Sequence, residues 1–158
     1  MIEKSINTKN SLVIVPAFNE GRFVSSTVKN LTEYFKNILI IDDGSMDNTL
    51  EESIQSLSTI VLHHPCNCGQ GRALRTGINF FLEKTNFEYL ITFDADGQHY
   101  PLDALKMLNF AVFNSCDAVF GSRFLDESSA RKIPFIRKII LKMANHFERI
   151  FLGLNLTD

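Results

Sequence analysis

Low-complexity tracts, internal repeats and long apolar runs are all missing from this 158-residue chain. With 45% of its residues apolar, it is not a disordered polymer. No apolar run approaches the roughly 18 residues a membrane-spanning helix needs. The opening residues MIEKSINTKN lack the apolar stretch of a secretory signal. An excess of positive charge is missing too. Sixteen Lys and Arg stand against eighteen Asp and Glu, a net charge of −2, so the whole chain is no polycation built for nucleic acid. Cysteine is scarce and odd in number, at three, which argues against a paired disulfide framework and for a reducing compartment. Neither G-x-x-x-x-G-K-[ST] nor G-x-G-x-x-G occurs, which removes the main support for a P-loop nucleotidase or a dinucleotide enzyme. What remains is one globular intracellular domain, soluble or bound to a surface, of ordinary size.

The apolar residues that are present come in short, evenly separated runs. Leu12–Val15, Ile38–Ile41, Thr59–Leu62, Tyr89–Phe93 and Ala118–Phe120 read as strands buried on both faces, the first stopped by Pro16. Between them lie helical spacings. Val24, Val28, Leu31 and Phe35 form one, Leu74, Ile78, Phe81 and Leu82 a second, and Leu102, Leu105, Leu108 and Val112 a third, after Pro101 in a first helical turn. A shorter helix is expected over about 49–57, capped by Asp47. Strands alternating with helices predict βαβ units and a mostly parallel sheet.

The polar residues collect where the strands end: Asn19 and Glu20, Asp42 and Asp43, Asp94 and Asp96, Arg123. Ligands of open α/β sheets bind in the crevice beyond those ends. In Asp94-Ala95-Asp96 the two carboxylates are two residues apart, so they can point to one side of an extended chain. Hard oxygen donors of that kind suit Mg²⁺ or Mn²⁺ and the phosphate oxygens such ions bridge. The alternative is a solvated turn in which Asp94 caps the helix after Pro101. Gln98 and His99 follow directly; a His there is more often plain surface than a ligand. In Asp42-Asp43-Gly44-Ser45-Met46-Asp47-Asn48-Thr49, glycine permits a tight turn and Ser45 and Asp47 can cap the next helix. Capping does not require two adjacent carboxylates, one of which can accept a hydrogen bond from a base or ribose. In Pro16-Ala17-Phe18-Asn19-Glu20, Phe18 can stack on a base or fill the core, and Glu20 suits a helix start. His63, His64, Cys66 and Cys68 are too cramped for the usual tetrahedral zinc pairs, and no second pair follows. That loop, with Asn67, Gly69 and Gly71, reads as an open turn that brings Arg72 and Arg75 toward an anion.

From Arg131 to Arg149 six basic residues face only Glu148, a net +5, among interleaved Phe, Ile and Met. This fits an amphipathic helix over 131–152 lying on an anionic membrane, or one packed on its own domain with a solvated basic face.

Taken together, Val15-Pro16-Ala17-Phe18-Asn19-Glu20, Asp42-Asp43-Gly44-Ser45 with Asp47 and Thr49, Asn67, Gly69, Gly71 and Ala73, Asp94-Ala95-Asp96-Gly97-Gln98-His99 and Gly121-Ser122-Arg123 resemble the inverting glycosyltransferases of family 2. The nearest subgroup is similar to dolichol-phosphate mannose synthase and the bacterial polyprenyl-phosphate glycosyltransferases. The resemblance implies a single-domain α/β fold of GT-A (Rossmann-like) type, with a mostly parallel sheet flanked by helices. It implies a nucleotide site at Pro16, Ala17, Phe18, Glu20, Asp42 and Asp43. Asp94, Asp96 and Gln98 would bind Mg²⁺ or Mn²⁺ and the donor diphosphate. Asp94, Asp96 and Arg123 would be the catalytic residues, and Arg72, Arg123 and Arg131 would contact phosphate or acceptor. Gln70 stands where the family usually has Lys, a positive contact that Arg72 can replace. The family continues beyond Leu156-Thr157-Asp158 with an acceptor loop, so residues 1–158, with a core over 10–125, are expected to form a truncated catalytic domain.

The expected reaction passes a sugar from a nucleotide-diphosphate donor of GDP-mannose or UDP-glucose type to a polyprenyl or dolichyl phosphate at the cytoplasmic face of the membrane. No nucleic acid is involved. Transfer to a sugar hydroxyl and a binding module without turnover are the alternatives. A nucleotidyltransferase is disfavoured, because its basic Gly-rich N-terminal loop is absent. A phosphate acceptor is already anionic near neutral pH, whereas a hydroxyl acceptor needs a positioned base. Pelleting with anionic vesicles tests the basic segment: the membrane reading expects co-sedimentation, and its absence removes that reading.

Overall fold

The computed structural model describes residues 6–55 and 59–121. After a 3-10 helix, Ile6–Asn10, the order is β1 (Ser11–Ala17), α1 (Val24–Thr32), β2 (Ile38–Asp42), α2 (Thr49–Gln55), β3 (Thr59–His63), α3 (Gln70–Lys84), β4 (Tyr89–Thr92) and α4 (Pro101–Asn114). All pairings are parallel, in the strand order β3-β2-β1-β4. The chain packs as two units, 1–117 and 118–158, and all of these elements lie in the first.

The expected mostly parallel sheet is present, with a layer of helices against each face. Alternation along the strands explains both layers, since successive side chains point to opposite faces. Val13, Val15, Ala17, Ile38 and Ile40 join Val24, Val28, Leu31, Leu105 and Leu108 in one core, while Leu12, Ile14, Leu39 and Ile41 join Ala73 in the other. The central strands β1 and β2 are buried along their whole length. β3 and β4 are only half-buried, against the expectation of burial on both faces. They are the sheet's edges among the described residues, where one neighbour is missing.

Two further expectations are corrected. Ala118, Val119 and Phe120 form no strand. The run has three residues, shorter than any strand of the sheet, and no described strand pairs with it. Pro16 does not stop β1 either: it lies inside the strand, in register with Ile41. The hydrogen bonds explain why it is tolerated. Val13 N–H donates toward β2, to Asn37 O, so odd residues of β1 face β2; Ile14 O accepts from Phe93 N, so even residues face β4. The N–H that Pro16 lacks would therefore point at β4. The ladder to β4 ends at Ile14–Thr92, while the ladder to β2 runs on to Ala17–Asp42. Pro16 thus ends one ladder and spares the other.

This matters because β1 and β4 flank the point where the strand order reverses, the usual place for a ligand in such sheets. The ends of β1 and β4 part there, with Phe18–Glu20 on one side and Asp94–Asp96 on the other.

The helix read from Leu74, Ile78, Phe81 and Leu82 is present, but the face it buries differs. Ala73 and Gly77 are its buried residues, while Leu82 is exposed. A Cβ on Gly77 would come within 2.6 Å of Ile14 Cγ2, on a side chain buried in the central strand. Small residues let α3 settle directly on β1. Gly77→Ala should therefore lower stability by about 1–3 kcal/mol despite its better helix propensity. Gly71→Ala, whose Cβ would meet nothing within 4 Å, should be neutral or stabilising by up to about 1 kcal/mol. Urea unfolding of both variants checks the contrast, and equal effects would contradict the close packing.

Candidate active site

Asp42 and Asp43 are both buried at the end of β2, and the chain surrounds each with donors. Asp42 Oδ2 lies 2.7 Å from His63 Nδ1, and its Oδ1 accepts from Ser45 N at 3.3 Å. Asp43 is engaged more fully. Its Oδ1 lies 2.6 Å from His64 Nδ1, Gly69 N donates to Oδ2 at 2.7 Å, and Cys68 N reaches both oxygens at 3.1 Å. His64 Nε2 continues to Thr76 Oγ1 at 2.9 Å, on α3. Burial pushes the Asp43 carboxyl up, but the hydrogen bonds from His64, Cys68 and Gly69 and the nearby His64 ring outweigh it and hold it below the ordinary aspartate range. Asp43 therefore clamps the loop after β3, including the first turn of α3, to the end of β2. The sequence offered no sign of this role for His64, Cys68 or Gly69.

Gly44 completes the clamp. It takes a φ of +70°, and a Cβ there would meet the Cys66 carbonyl carbon at 2.4 Å. Only glycine accepts both the left-handed conformation and the close approach.

The loops after β1 and β2 are buttoned together by side chains. Asn19 N donates to Ser45 Oγ at 2.9 Å, and Met46 N donates back to Asn19 Oδ1 at 2.9 Å. Glu20 N donates to Thr49 Oγ1 at 2.8 Å and Gly21 N to Asp47 Oδ2 at 3.1 Å. Asp47 Oδ1 also accepts from Thr49 N at 3.0 Å, so the expected cap of α2 is present. The Thr49 hydroxyl on Asp47 is the main reason its carboxyl lies below the ordinary range; the backbone N–H groups of Thr49 and Gly21 add to it against burial. Asn19 is left-handed, at φ 57°, which this exchange with Ser45 and Met46 holds in place. Pro16 and Ala17 are buried in β1, while Phe18 at the rim is 40% exposed.

Beyond β4, Phe93 and Ala95 are buried and Asp94 and Asp96 alternate with them. Thr27 Oγ1 on α1 donates to Ala95 O at 3.2 Å and pins the turn from below. Asp94 Oδ1 accepts from Gln70 Nε2 at 3.2 Å, and its Oδ2 lies 3.2 Å from His99 Nε2. Asp96 Oδ1 accepts from Gln98 N at 2.9 Å. Asp94 does not cap α4: the N-cap there is Tyr100, without a side-chain cap bond.

The rim's electrostatics converge on Glu20. Its carboxyl is raised above the ordinary glutamate value by burial and then by the negative charges of Asp96, Asp47 and Asp94. Asp94 and Asp96 therefore act on Glu20 from beyond β4, and Asp47 acts on it from beyond β2. The clamp and the acidic turn meet through adjacent residues, since Gly69 binds Asp43 and Gln70 reaches Asp94. Arg72 is exposed in the first turn of α3 and lies close enough to Cys68 to act on its thiol. Gln98 is exposed and reaches Asp96 through its backbone. Arg123, Arg131 and the basic segment 131–152 lie outside the described residues. Among the described residues no helix is long and apolar enough to cross a membrane.

Residues 12–157 match the family described as glycosyl transferase family 2. The chain is 34% identical over 144 residues to a UDP-N-acetylglucosamine–dolichyl-phosphate N-acetylglucosaminyltransferase of Methanococcus voltae, covering 80% of this chain and 57% of that protein. It is 30% identical over 158 residues to a polyprenol monophosphomannose synthase of Mycolicibacterium smegmatis, covering 96% and 59%. It therefore spans little more than half the length of these relatives. Among solved structures, glucosyl-3-phosphoglycerate synthase of Mycobacterium tuberculosis, in complex with Mn²⁺, UDP and glucosyl-3-phosphoglycerate, superposes with a TM-score of 0.53 at 22% identity, over 66% of this chain and 39% of that one. That likeness is one of fold.

Removing the clamp should loosen this rim. Asp43→Ala strands the half-buried His64 ring and the N–H groups of the exposed Cys68 and Gly69, and should cost about 1–3 kcal/mol in urea unfolding. Because the folded carboxyl is held below its unfolded value, its contribution is complete above the unfolded aspartate pKa of about 3.9 and fades as pH falls through the lower folded value. The wild type should lose stability over that acid window, and the variant should lose less. A variant with wild-type stability and the same acid limb would contradict the clamp.

Proposed function

The chain belongs to glycosyl transferase family 2, and from that premise we propose that it passes a sugar from a nucleoside-diphosphate sugar to the phosphate of a polyprenyl or dolichyl carrier, with inversion at the anomeric carbon. One observation carries the chemistry: Asp94 and Asp96 alternate with the buried Phe93 and Ala95 just past β4, at the switch point where β1 and β4 part, and their charges act on Glu20. Asp94 bonds to Gln70 and His99 and Asp96 to the Gln98 N–H, and a cation shared by the two carboxylates would relieve the repulsion they exert on Glu20. An all-oxygen set suits Mg²⁺ or Mn²⁺. The two relatives act on dolichyl phosphate and polyprenol phosphate by their names, which supports the acceptor, and they differ in the sugar.

In this reading Asp94 and Asp96 hold the cation, with Gln98 beside them. When bound, the ion neutralises charge on the departing diphosphate. The exposed Phe18 ring stacks on the base, and Ala17, Pro16 and the Asp42–Asp43 turn form the floor under the nucleoside. Glu20 receives a donor hydroxyl. Arg72, at the start of α3, faces phosphate. A phosphate oxygen of the acceptor attacks the anomeric carbon as the bond to the diphosphate oxygen breaks on the opposite face. The acceptor arrives as an anion, so the chain's main tasks are in-line positioning and stabilisation of the leaving group. Arg123 and Arg131 belong to the acceptor's phosphate, and the basic segment 131–152 to the anionic surface where that lipid resides.

Calorimetry with Mn²⁺ and a panel of GDP- and UDP-sugars should show metal-dependent binding in the wild type, weakened at least about tenfold in Asp96→Ala, or roughly 1.4 kcal/mol or more. Unchanged binding would refute the metal assignment. Radiolabelled donor incubated with short-chain polyprenyl phosphate or with a sugar acceptor then assigns the acceptor. Label in the lipid phase supports the proposal, and label only in the sugar contradicts it.

A further inference from the structure

The loop between β3 and α3 holds Cys66, Cys68 and His64, donors to which the proposed sugar transfer assigns no role. Cys66 Sγ and Cys68 Sγ lie 3.9 Å apart, and both cysteines are exposed. Two thiolates bound to one tetrahedral zinc ion at about 2.3 Å each sit at nearly this separation. The Cys68 thiol is also grouped with two donors from other segments: a carboxylate oxygen of Asp43, a ring nitrogen of His64 and Cys68 Sγ all lie within 4.8 Å of one another. The short spacing in sequence had argued against zinc. The fold removes that objection, because Asp43 comes from the end of β2, more than twenty residues away, and His64 is turned toward it.

We propose that Cys66, Cys68, His64 and Asp43 form a binding site for a thiophilic divalent cation of the Zn²⁺ class, separate from the acidic turn at Asp94–Asp96. Entry of the cation requires His64 Nδ1 and Asp43 Oδ1 to part by roughly 0.7 Å and Cys66 Sγ to swing in with Cys68. His64 Nδ1 is 2.6 Å from Asp43 Oδ1, and its Nε2 is 2.9 Å from Thr76 Oγ1. With the ring proton on Nε2, donated to Thr76, Nδ1 is free to ligate, the arrangement by which a second partner fixes a metal-bound imidazole. The ion takes the place of the proton between His64 and Asp43, and the two thiols lose their protons on binding. Gly44 against the Cys66 backbone and the Cys68 and Gly69 N–H groups on Asp43 already fix the loop around the site. Two soft sulfurs, one imidazole and one carboxylate favour this class over the hard Mg²⁺ that suits the acidic turn.

The test does not depend on transferase activity. The reduced chain is titrated with Cd²⁺ as a spectroscopic stand-in for Zn²⁺, and thiolate-to-metal charge-transfer absorption is followed in the ultraviolet. Zn²⁺ affinity is then measured against a chromophoric chelator. The proposal expects absorption that saturates at one equivalent, disappears in both Cys66→Ser and Cys68→Ser, and persists in Cys116→Ser. His64→Gln should weaken Zn²⁺ by about 10- to 100-fold. Both cysteines of the loop are exposed, so their serine variants should keep the wild-type circular dichroism. Absence of the absorption in the wild type would overturn the site. Absorption that survives the loss of either thiol, or that requires Cys116, would overturn it as well.

Discussion

A single buried carboxylate organises the active edge of this molecule. Asp43 is 2% exposed, yet it stays charged because three donors converge on it: the His64 ring and the N–H groups of Cys68 and Gly69. An ionised group taken out of water costs several kcal/mol unless its lone pairs are occupied, and here they are. The same bonds tie the end of β2 to the loop after β3 and to the first turn of α3. Gln70, the residue after Gly69, reaches Asp94, so the clamp and the acidic turn adjoin at the start of α3.

A second set of bonds fixes the opposite wall. Ser45, Asp47 and Thr49 hold the backbone of Asn19, Glu20 and Gly21. Pro16 lets β1 continue along β2 while releasing β4. The result is a gap at the switch point with Phe18 and Glu20 on one side and Asp94 and Asp96 on the other. The proposed chemistry needs little more than this: an aromatic surface for a base, oxygen ligands for a cation, and walls that do not move when a diphosphate arrives.

Much of this was legible in the sequence. The four strands and the helices followed from short apolar runs separated by 3.6-period spacings, because central strands of a parallel sheet must be apolar on both faces. The acidic turns were legible as strand ends. Other features were not, for identifiable reasons. The buried face of α3 rests on Ala73 and Gly77, whose value is their smallness, and hydrophobic spacing pointed instead at Ile78 and Leu82. Ser45 and Asp47 read only as helix caps, since their partners Asn19 and Gly21 each lie 26 residues away in the chain. Pro16 looked like a terminator, because which edge of β1 its missing N–H faces depends on register. The strand expected at 118–120 had an apolar run but no partner among the described residues. Arg123 and Arg131 lie outside those residues, so their roles remain proposals.

The central claim is that Asp94 and Asp96 of the turn after β4 hold one divalent ion beside Glu20, and that this ion in turn holds a nucleoside diphosphate. Paramagnetic broadening of backbone amide resonances by Mn²⁺, recorded with and without UDP or GDP, tests it most directly. The account predicts broadening centred on residues 94–98 and 19–21, strengthened by the nucleotide, with residues 84–88, before the opposite end of β4, unaffected. Broadening centred elsewhere, or indifferent to the nucleotide, would contradict it.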